Sequence, residues 1–235
     1  MTRAPLPLAV AQPLVVAGDL GATVAAHAAA VRQAAARVVA FPEMSLTGYD
    51  LDAAPVAADD PALGPLVAAC AATGALALVG APVTDPDGRD CIGVLAVDGS
   101  GATVVYRKVW VDPSEARFAP GPGPVVIEVD GWRLGLAVCR DTRFAEHDAA
   151  TAALGMDAYV AGVVHHAHEG AVTEERARRV AADRGVWAAT ASFAGPTGGG
   201  FTATAGGSGI WSPEGEAVAR AGPDPGQVVR AVLTP

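Results

Sequence analysis

A chain of 235 residues, 51% apolar and 5% aromatic, is long enough to bury one large core or at most two small ones. Its net charge of −9 argues against a nucleic-acid or anionic-membrane surface, since those partners need clustered Lys and Arg to displace counterions. The expectation is one domain over residues 1–235 with a small molecule as its partner.

Residues 1–12 carry one basic side chain and an apolar run broken by Pro5 and Pro7, which does not read as a signal peptide. No apolar stretch reaches the length of a membrane helix, so a cytoplasmic location is expected. Cys70, Cys91 and Cys139 are odd in number and form no CxxC pair, which speaks against a disulfide framework or a zinc site.

Short apolar runs alternate with Ala-rich segments, as when strands are joined by crossover helices or hairpins. Residues 6–11 read as a strand, 23–36 as a helix, and 38–41 as a buried strand stopped by Pro42, directly before Glu43. Residues 60–73 read as a helix with Asp60 as cap and Pro61 in its first turn. Strands follow at 75–82, 91–97 and 103–108, with hairpin turns at 85–88 and 98–101.

After a Pro/Gly-rich loop at 119–124, strands are expected at 125–129 and 133–138, the second running straight into Cys139. Helices at 146–154 and 174–184 flank a strand at 158–164, and a further strand covers 187–191. Beyond the loop 195–205, the segments 207–211, 217–219 and 227–232 read as a terminal antiparallel meander. Gly198-Gly199-Gly200 matches neither GxGxxG nor GxxxxGK[ST] and reads as a flexible loop.

Glu43, Lys108 and Cys139 each sit at or just beyond a predicted strand end, the rim where ligands bind in open α/β sheets. Lys108 is the only lysine against fifteen arginines, which points to a need for a compact ammonium; the plainer reading is one unreplaced surface lysine. Free cysteine is by default a buried, inert residue. For Cys139 the following Arg140-Asp141-Thr142-Arg143-Phe144 offers a polar, cation-bearing turn suited to a reactive thiol, whereas Cys70 and Cys91 read as packing.

Phe41-Pro42-Glu43-Met44-Ser45-Leu46-Thr47-Gly48-Tyr49, Tyr106-Arg107-Lys108 and Ala137-Val138-Cys139-Arg140-Asp141-Thr142-Arg143-Phe144 resemble the three catalytic blocks of the nitrilase superfamily, the carbon-nitrogen hydrolases. Glu115-Ala116-Arg117-Phe118-Ala119-Pro120-Gly121 is similar to the segment bearing a second glutamate, and residues 207–215 to a late strand-turn signature.

The resemblance implies a four-layer αββα sandwich that pairs into a homodimer or higher homo-oligomer, and a Glu–Lys–Cys triad without metal or organic cofactor. Glu43 would be the general base and acid, Cys139 the nucleophile forming a thioester, and Lys108 with the backbone N–H of Arg140 the oxyanion donors. Glu115 would be the supporting carboxylate. The implied substrate is a small amide, with N-carbamoyl compounds, nitriles and acyl transfer as alternatives.

Several positions depart from the family pattern: Arg140, Ala145, Asp183-Arg184 and Ser192 stand where it usually has other residues. Arg140 and Arg143 are ion-pair partners for Asp141, Glu146 or Asp148, or else one of them reads a substrate carboxylate. His165-His166-Ala167-His168-Glu169 admits a metal-cluster reading, set against a pocket-lining loop in which His165 and His166 touch substrate. A Cys–His pair using His147 or His165 lacks any local signature. The reading from another class is a catalytically silent α/β binding protein, which an unreactive Cys139 would favour.

Overall fold

The computed structural model describes residues 3–235. In strand β1 (Leu6–Gln12), Leu6, Leu8 and Val10 join one apolar cluster while Ala9 and Ala11 join another. A near-continuous apolar run is what a strand covered on both faces requires, and the period-2 alternation sends its side chains into two separate layers.

Helix α1 (Leu20–Ala34) is capped by Asp19, whose side chain accepts from the Ala22 N–H, and it returns the chain to set β2 (Val38–Ala40) parallel to β1. A 3₁₀ turn (Pro61–Leu63) leads into α2 (Gly64–Thr73) and then β3 (Leu76–Thr84), parallel to β2. Strands β4 (Asp90–Asp98) and β5 (Gly101–Arg107) complete an antiparallel run.

The second half holds β6 (Val125–Val129), β7 (Trp132–Val138), α3 (Ala145–Ala153), β8 (Ala158–Val163), α4 (Gly170–Arg184) and β9 (Trp187–Ser192). It ends with β10 (Gly209–Trp211), β11 (Ala217–Arg220) and β12 (Gln227–Leu233). One six-stranded sheet has the order β12-β1-β2-β3-β4-β5, the other β11-β10-β9-β8-β7-β6.

The largest cluster lies between the sheets, where Leu8, Val10 and Val38 face Leu134, Leu136 and Val160. Val24, Val31, Leu66 and Cys70 of α1 and α2 close the outer face of the first sheet, and Val180 of α4 packs with Tyr159 and Val163 on the outer face of the second. The layers therefore run helices, sheet, sheet, helices, the α/β sandwich expected from the sequence. Among the described residues no helix is long and apolar enough to cross a membrane.

The terminal meander is a correction. β10 and β11 form a hairpin in the second sheet, but β12 crosses to the first and pairs antiparallel with β1, Leu6 facing Leu233 and Gln12 facing Gln227. Helix limits also shift: α1 begins at Leu20 rather than 23 because Asp19 caps it, and ends at Ala34 because Ala35 takes a left-handed conformation. α4 starts at Gly170, four residues before the expected 174, continuing directly from a 3₁₀ turn.

Candidate active site

Glu43 is delivered by a segment that leaves β2 but remains tied to β3: the Phe41 N–H donates to the Leu78 carbonyl at 2.9 Å and the Leu46 N–H to the Gly80 carbonyl at 3.0 Å. Two glycines let this backbone lie between the sheets. A Cβ on Gly80 would stand 2.5 Å from the Pro42 oxygen, and one on Gly162 would stand 2.7 Å from the Phe41 oxygen and 2.9 Å from the Glu43 nitrogen. Behind the turn, His27 of α1 bonds the Thr23 carbonyl through Nδ1 and the Ser45 hydroxyl through Nε2, and stacks on Phe41 at 4.4 Å. Burial lowers the His27 pKa to about 4, so the ring is neutral near pH 7.

Lys108 lies one residue beyond β5, with its N–H still bonded to the Ile92 carbonyl at 2.8 Å. Its ammonium, 1% exposed, donates at 2.7 Å to Glu43 Oε1 and at 2.7 Å to Glu115 Oε1. Glu115 ends a 3₁₀ turn (Pro113–Glu115) and has both oxygens engaged: Oε1 also accepts from the Tyr49 hydroxyl at 2.6 Å, and Oε2 accepts from the Asp112 N–H at 2.7 Å. Glu43 differs, because its Oε2 is buried and has no hydrogen-bond partner. Two carboxylates thus share one ammonium, and only one keeps an uncommitted oxygen.

Cys139 follows β7 on a 3₁₀ turn (Cys139–Arg143) and has a φ of +36°. A non-glycine residue in the left-handed region costs on the order of 1–3 kcal/mol and persists only where its surroundings hold it. Thr142 Oγ1 donates to the Cys139 carbonyl at 2.6 Å, and Cys139 Sγ donates to the Val164 carbonyl at 3.3 Å.

Burial raises the Glu43 carboxyl well above the usual carboxylate range, aided by Cys139 and Glu115 and opposed by Lys108. Burial also pushes the Cys139 thiol up, against the pull of Lys108 and of the bond to Val164. For Lys108 burial works against the charge, but Glu43, Cys139 and Glu115 outweigh it and hold the ammonium above its ordinary pKa. At rest the site holds a charged lysine beside a protonated thiol.

The remaining candidates separate. Arg140 pairs with Asp112 and lies over the Phe144 ring at 5.6 Å, not with Asp141, Glu146 or Asp148 as expected. Asp148 takes Arg179 and Arg184 instead, because α4 packs those side chains onto α3. Arg143 is exposed, 6.0 Å from the same Phe144 ring. His165 is buried, with Nδ1 bonded to Thr173 Oγ1 at 2.9 Å and Nε2 3.5 Å from Arg176; burial first and Arg176 second lower its pKa to about 4.

His166 turns away from His165, stacking on Phe201 at 4.2 Å and on His168 at 5.5 Å. Among the described residues no group of three or more His, Cys, Asp or Glu side chains is placed to hold a metal ion. His147 is bonded to two tyrosines, Tyr106 and Tyr159, and His165 to Thr173, so neither ring is given to Cys139. Phe201, on the loop after β9, also meets Tyr49 edge-on at 5.2 Å, which sets an aromatic wall next to Glu115.

Three contributors escaped the sequence reading. Tyr49 stands inside the first motif but gained no role, since its partner Glu115 lies 66 positions away. Gly80 and Gly162 interrupt apolar strands, a signal of close backbone approach that does not say to what.

Residues 8–234 match the carbon-nitrogen hydrolase family, and the chain belongs to it. A hydrolase encoded in the pqqF 5′ region of Pseudomonas protegens is 32% identical over 145 residues, 58% of this chain and 50% of that protein, so the match spans about half of this relative's length. The amidase from Nesterenkonia sp. AN1, solved as a cysteine-to-alanine mutant in complex with butyramide, is 26% identical with a TM-score of 0.86 over 97% of this chain and 91% of its own. Another mutant of that amidase shows the result of Michael addition of acrylamide at the active site cysteine, with a TM-score of 0.85. Saccharomyces cerevisiae Nit3, of branch 10 of the nitrilase superfamily, shares the fold with a TM-score of 0.88 and 21% identity, covering 100% of this chain and 92% of its own.

Proposed function

We propose that the protein is an amidase that hydrolyses small aliphatic amides through Glu43, Lys108 and Cys139. The observation that carries this reading is the unequal use of the two carboxylates around Lys108: Glu115 is fully engaged, while Glu43 keeps a buried oxygen without a partner. That oxygen is the group free to exchange a proton with Cys139.

In this mechanism Glu43 Oε2 takes the thiol proton as Cys139 Sγ bonds to the amide carbon. Lys108 Nζ and the Arg140 N–H receive the developing oxyanion, each preorganised donor contributing about 3 kcal/mol to the barrier reduction. The tetrahedral intermediate expels its nitrogen as that nitrogen takes the proton from Glu43, leaving a thioester and ammonia. Water then gives a proton to Glu43 and its oxygen to the acyl carbon, and release of the acid returns the proton to Cys139.

Small aliphatic amides are favoured over bulkier acyl groups by the wall of Tyr49, Phe201 and His166, and by the butyramide complex of the Nesterenkonia amidase. The test is ammonia release from aliphatic amides, ω-amides of dicarboxylic acids, N-carbamoyl amino acids and nitriles, comparing the native protein with Cys139→Ala. Release from aliphatic amides that vanishes in the variant is the expected result. Equal release by both proteins, or release from nitriles alone, refutes the proposal.

A further inference from the structure

We propose that Asp141 is the positioning residue that locks the lysine segment to the cysteine turn, and that His147 holds it there through a one-way chain of hydrogen bonds. The proposal rests on the reading of Lys108 and Cys139 as catalytic partners. Those two residues come from different sheets, since Lys108 follows β5 and Cys139 follows β7. Something must fix one against the other to within a fraction of an ångström, because misplacement by about 1 Å can cost ~10²-fold in rate.

Asp141 is fully buried, and its two oxygens reach both segments. Oδ1 accepts from the N–H groups of Val109 at 3.2 Å and Trp110 at 2.8 Å, the two residues after Lys108. Oδ2 accepts from the N–H of Val138 at 2.9 Å, the residue before Cys139, and from the Tyr106 hydroxyl at 2.7 Å, two residues before Lys108. One carboxylate therefore brackets Lys108 from both sides and grips the strand end that carries Cys139.

The chain behind it has a definite direction. Tyr106 gives its only proton to Asp141, so at 2.8 Å from His147 Nε2 it must accept, and the proton on that ring lies at Nε2. His147 Nδ1 is then an acceptor and takes the Tyr159 hydroxyl proton at 2.9 Å. The sequence Tyr159 to His147 to Tyr106 to Asp141 runs from the outer face of the second sheet to the space between the sheets. Bonds aligned this way polarise one another. Burial keeps the His147 pKa below its ordinary value, against the pull of Asp141 and Asp148, and so preserves the neutral tautomer that the chain requires.

The test compares Asp141→Asn, Tyr106→Phe and Val31→Ala, the last a core change on the outer face of the first sheet that touches none of the Asp141 hydrogen bonds. Three quantities are read: kcat, KM for butyramide, and the pH profile of iodoacetamide alkylation followed at the Cys139 peptide by mass spectrometry. Asn at 141 turns an NH₂ toward two donors, so kcat falls ~10²-fold while KM stays within about threefold. Tyr106→Phe removes one of the donors and lowers kcat about tenfold.

In both variants the alkylation midpoint moves to higher pH. Glu43, Lys108, Glu115, Arg176 and the bond to Val164 all act on the thiol, and a loosened turn loses part of the largest downward pull, that of Lys108. Val31→Ala lowers Tm but moves neither kcat nor the midpoint. If Asp141→Asn does not fold, Tyr106→Phe decides alone. A Tyr106→Phe protein with native kcat and native midpoint overturns the proposal, as does a folded Asp141→Asn that behaves like Val31→Ala. Should the native protein turn over no amide, the function proposed above fails, and the alkylation midpoints still decide between a clasp and none.

Discussion

In the proposed mechanism Glu43 is the base, and Glu43→Gln separates that role from the scaffold. The amide oxygen of glutamine can keep the bond that Lys108 Nζ now donates at 2.7 Å, and the NH₂ takes the place of Oε2, which has no partner to lose. Folding disfavours the ionised form of this carboxyl, since burial raises its pKa well above the usual range. A neutral amide removes that penalty at pH 8 and exchanges one unsatisfied buried group for another. Tm at pH 8 is therefore expected to hold or rise. Turnover is expected to fall by about 10²–10⁴, the share of a positioned general base, or ~3–5 kcal/mol of barrier.

The native enzyme should also lose kcat/KM as pH falls, at a pH above the ordinary carboxylate range. The proposed base must be ionised to act, and its raised pKa moves that requirement upward. Ammonia release from butyramide between pH 5 and 9, with thermal melts of both proteins, gives every quantity. A variant that retains turnover within about tenfold, or whose Tm drops by more than ~4 °C, would refute the reasoning.

Acidification should destabilise the fold before most carboxylates titrate. His27 and His165 have pKa values of about 4 against 6.5 for the free side chain, so below 6.5 the unfolded chain binds more protons. Stability present above pH 6.5 is lost as pH falls, by about 2 kcal/mol per histidine at pH 5; a Tm that stays flat from pH 7.5 to 5 would contradict this. Gly162→Ala should lower kcat at least tenfold and cost ~1–3 kcal/mol, since its Cβ would stand 2.9 Å from the Glu43 nitrogen. Gly64→Ala in α2, with no atom beyond its chain neighbours within 4 Å, should leave kcat unchanged, and equal effects of the two substitutions on kcat would contradict this. Phe201→Ala takes away the ring between Tyr49 and His166, and should shift kcat/KM toward longer acyl chains, hexanamide over butyramide, by ~10-fold.

The strands that lead to Glu43 and Cys139 are legible because each is a short, largely buried apolar run that stops close to a polar residue, whereas the half-exposed edge strand before Lys108 shows itself by its β-branched residues after a hairpin turn. The partner of a strand is not legible in the same way. Residues 227–233 keep the same alternation whichever sheet they join, and only the long-range pairing of Leu6 with Leu233 puts β12 in the first. The clasp at Asp141 is hidden for a related reason, since its donors at 106–110 lie 31 to 35 positions earlier and nothing local announces them. Arg140 illustrates the opposite case: a cation beside the cysteine invites a substrate, but the 3₁₀ turn that ends at Glu115 puts Asp112 within its reach.

The division of labour between the two glutamates has a consequence for stability. Lys108 is buried and charged, so it needs a counter-charge at every stage of the proposed reaction, in which Glu43 would gain and lose a proton. Glu115 fills that need: the Tyr49 hydroxyl and the Asp112 N–H hold its oxygens in place, and neither bond touches the reacting atoms. Glu115→Gln leaves Lys108 dependent on Glu43, the carboxylate whose ionised form burial disfavours. Removing one partner of a buried pair costs about 3–5 kcal/mol, which in a chain of this size is a Tm fall of ~6 °C or more. Glu43→Gln, with the Glu115 bond intact, should show no such fall. Melts of the two isosteric variants at pH 8 decide the matter: if Tm changes equally in both, the carboxylates share the ammonium on the same terms, and the assignment of Glu43 as the base loses its structural ground.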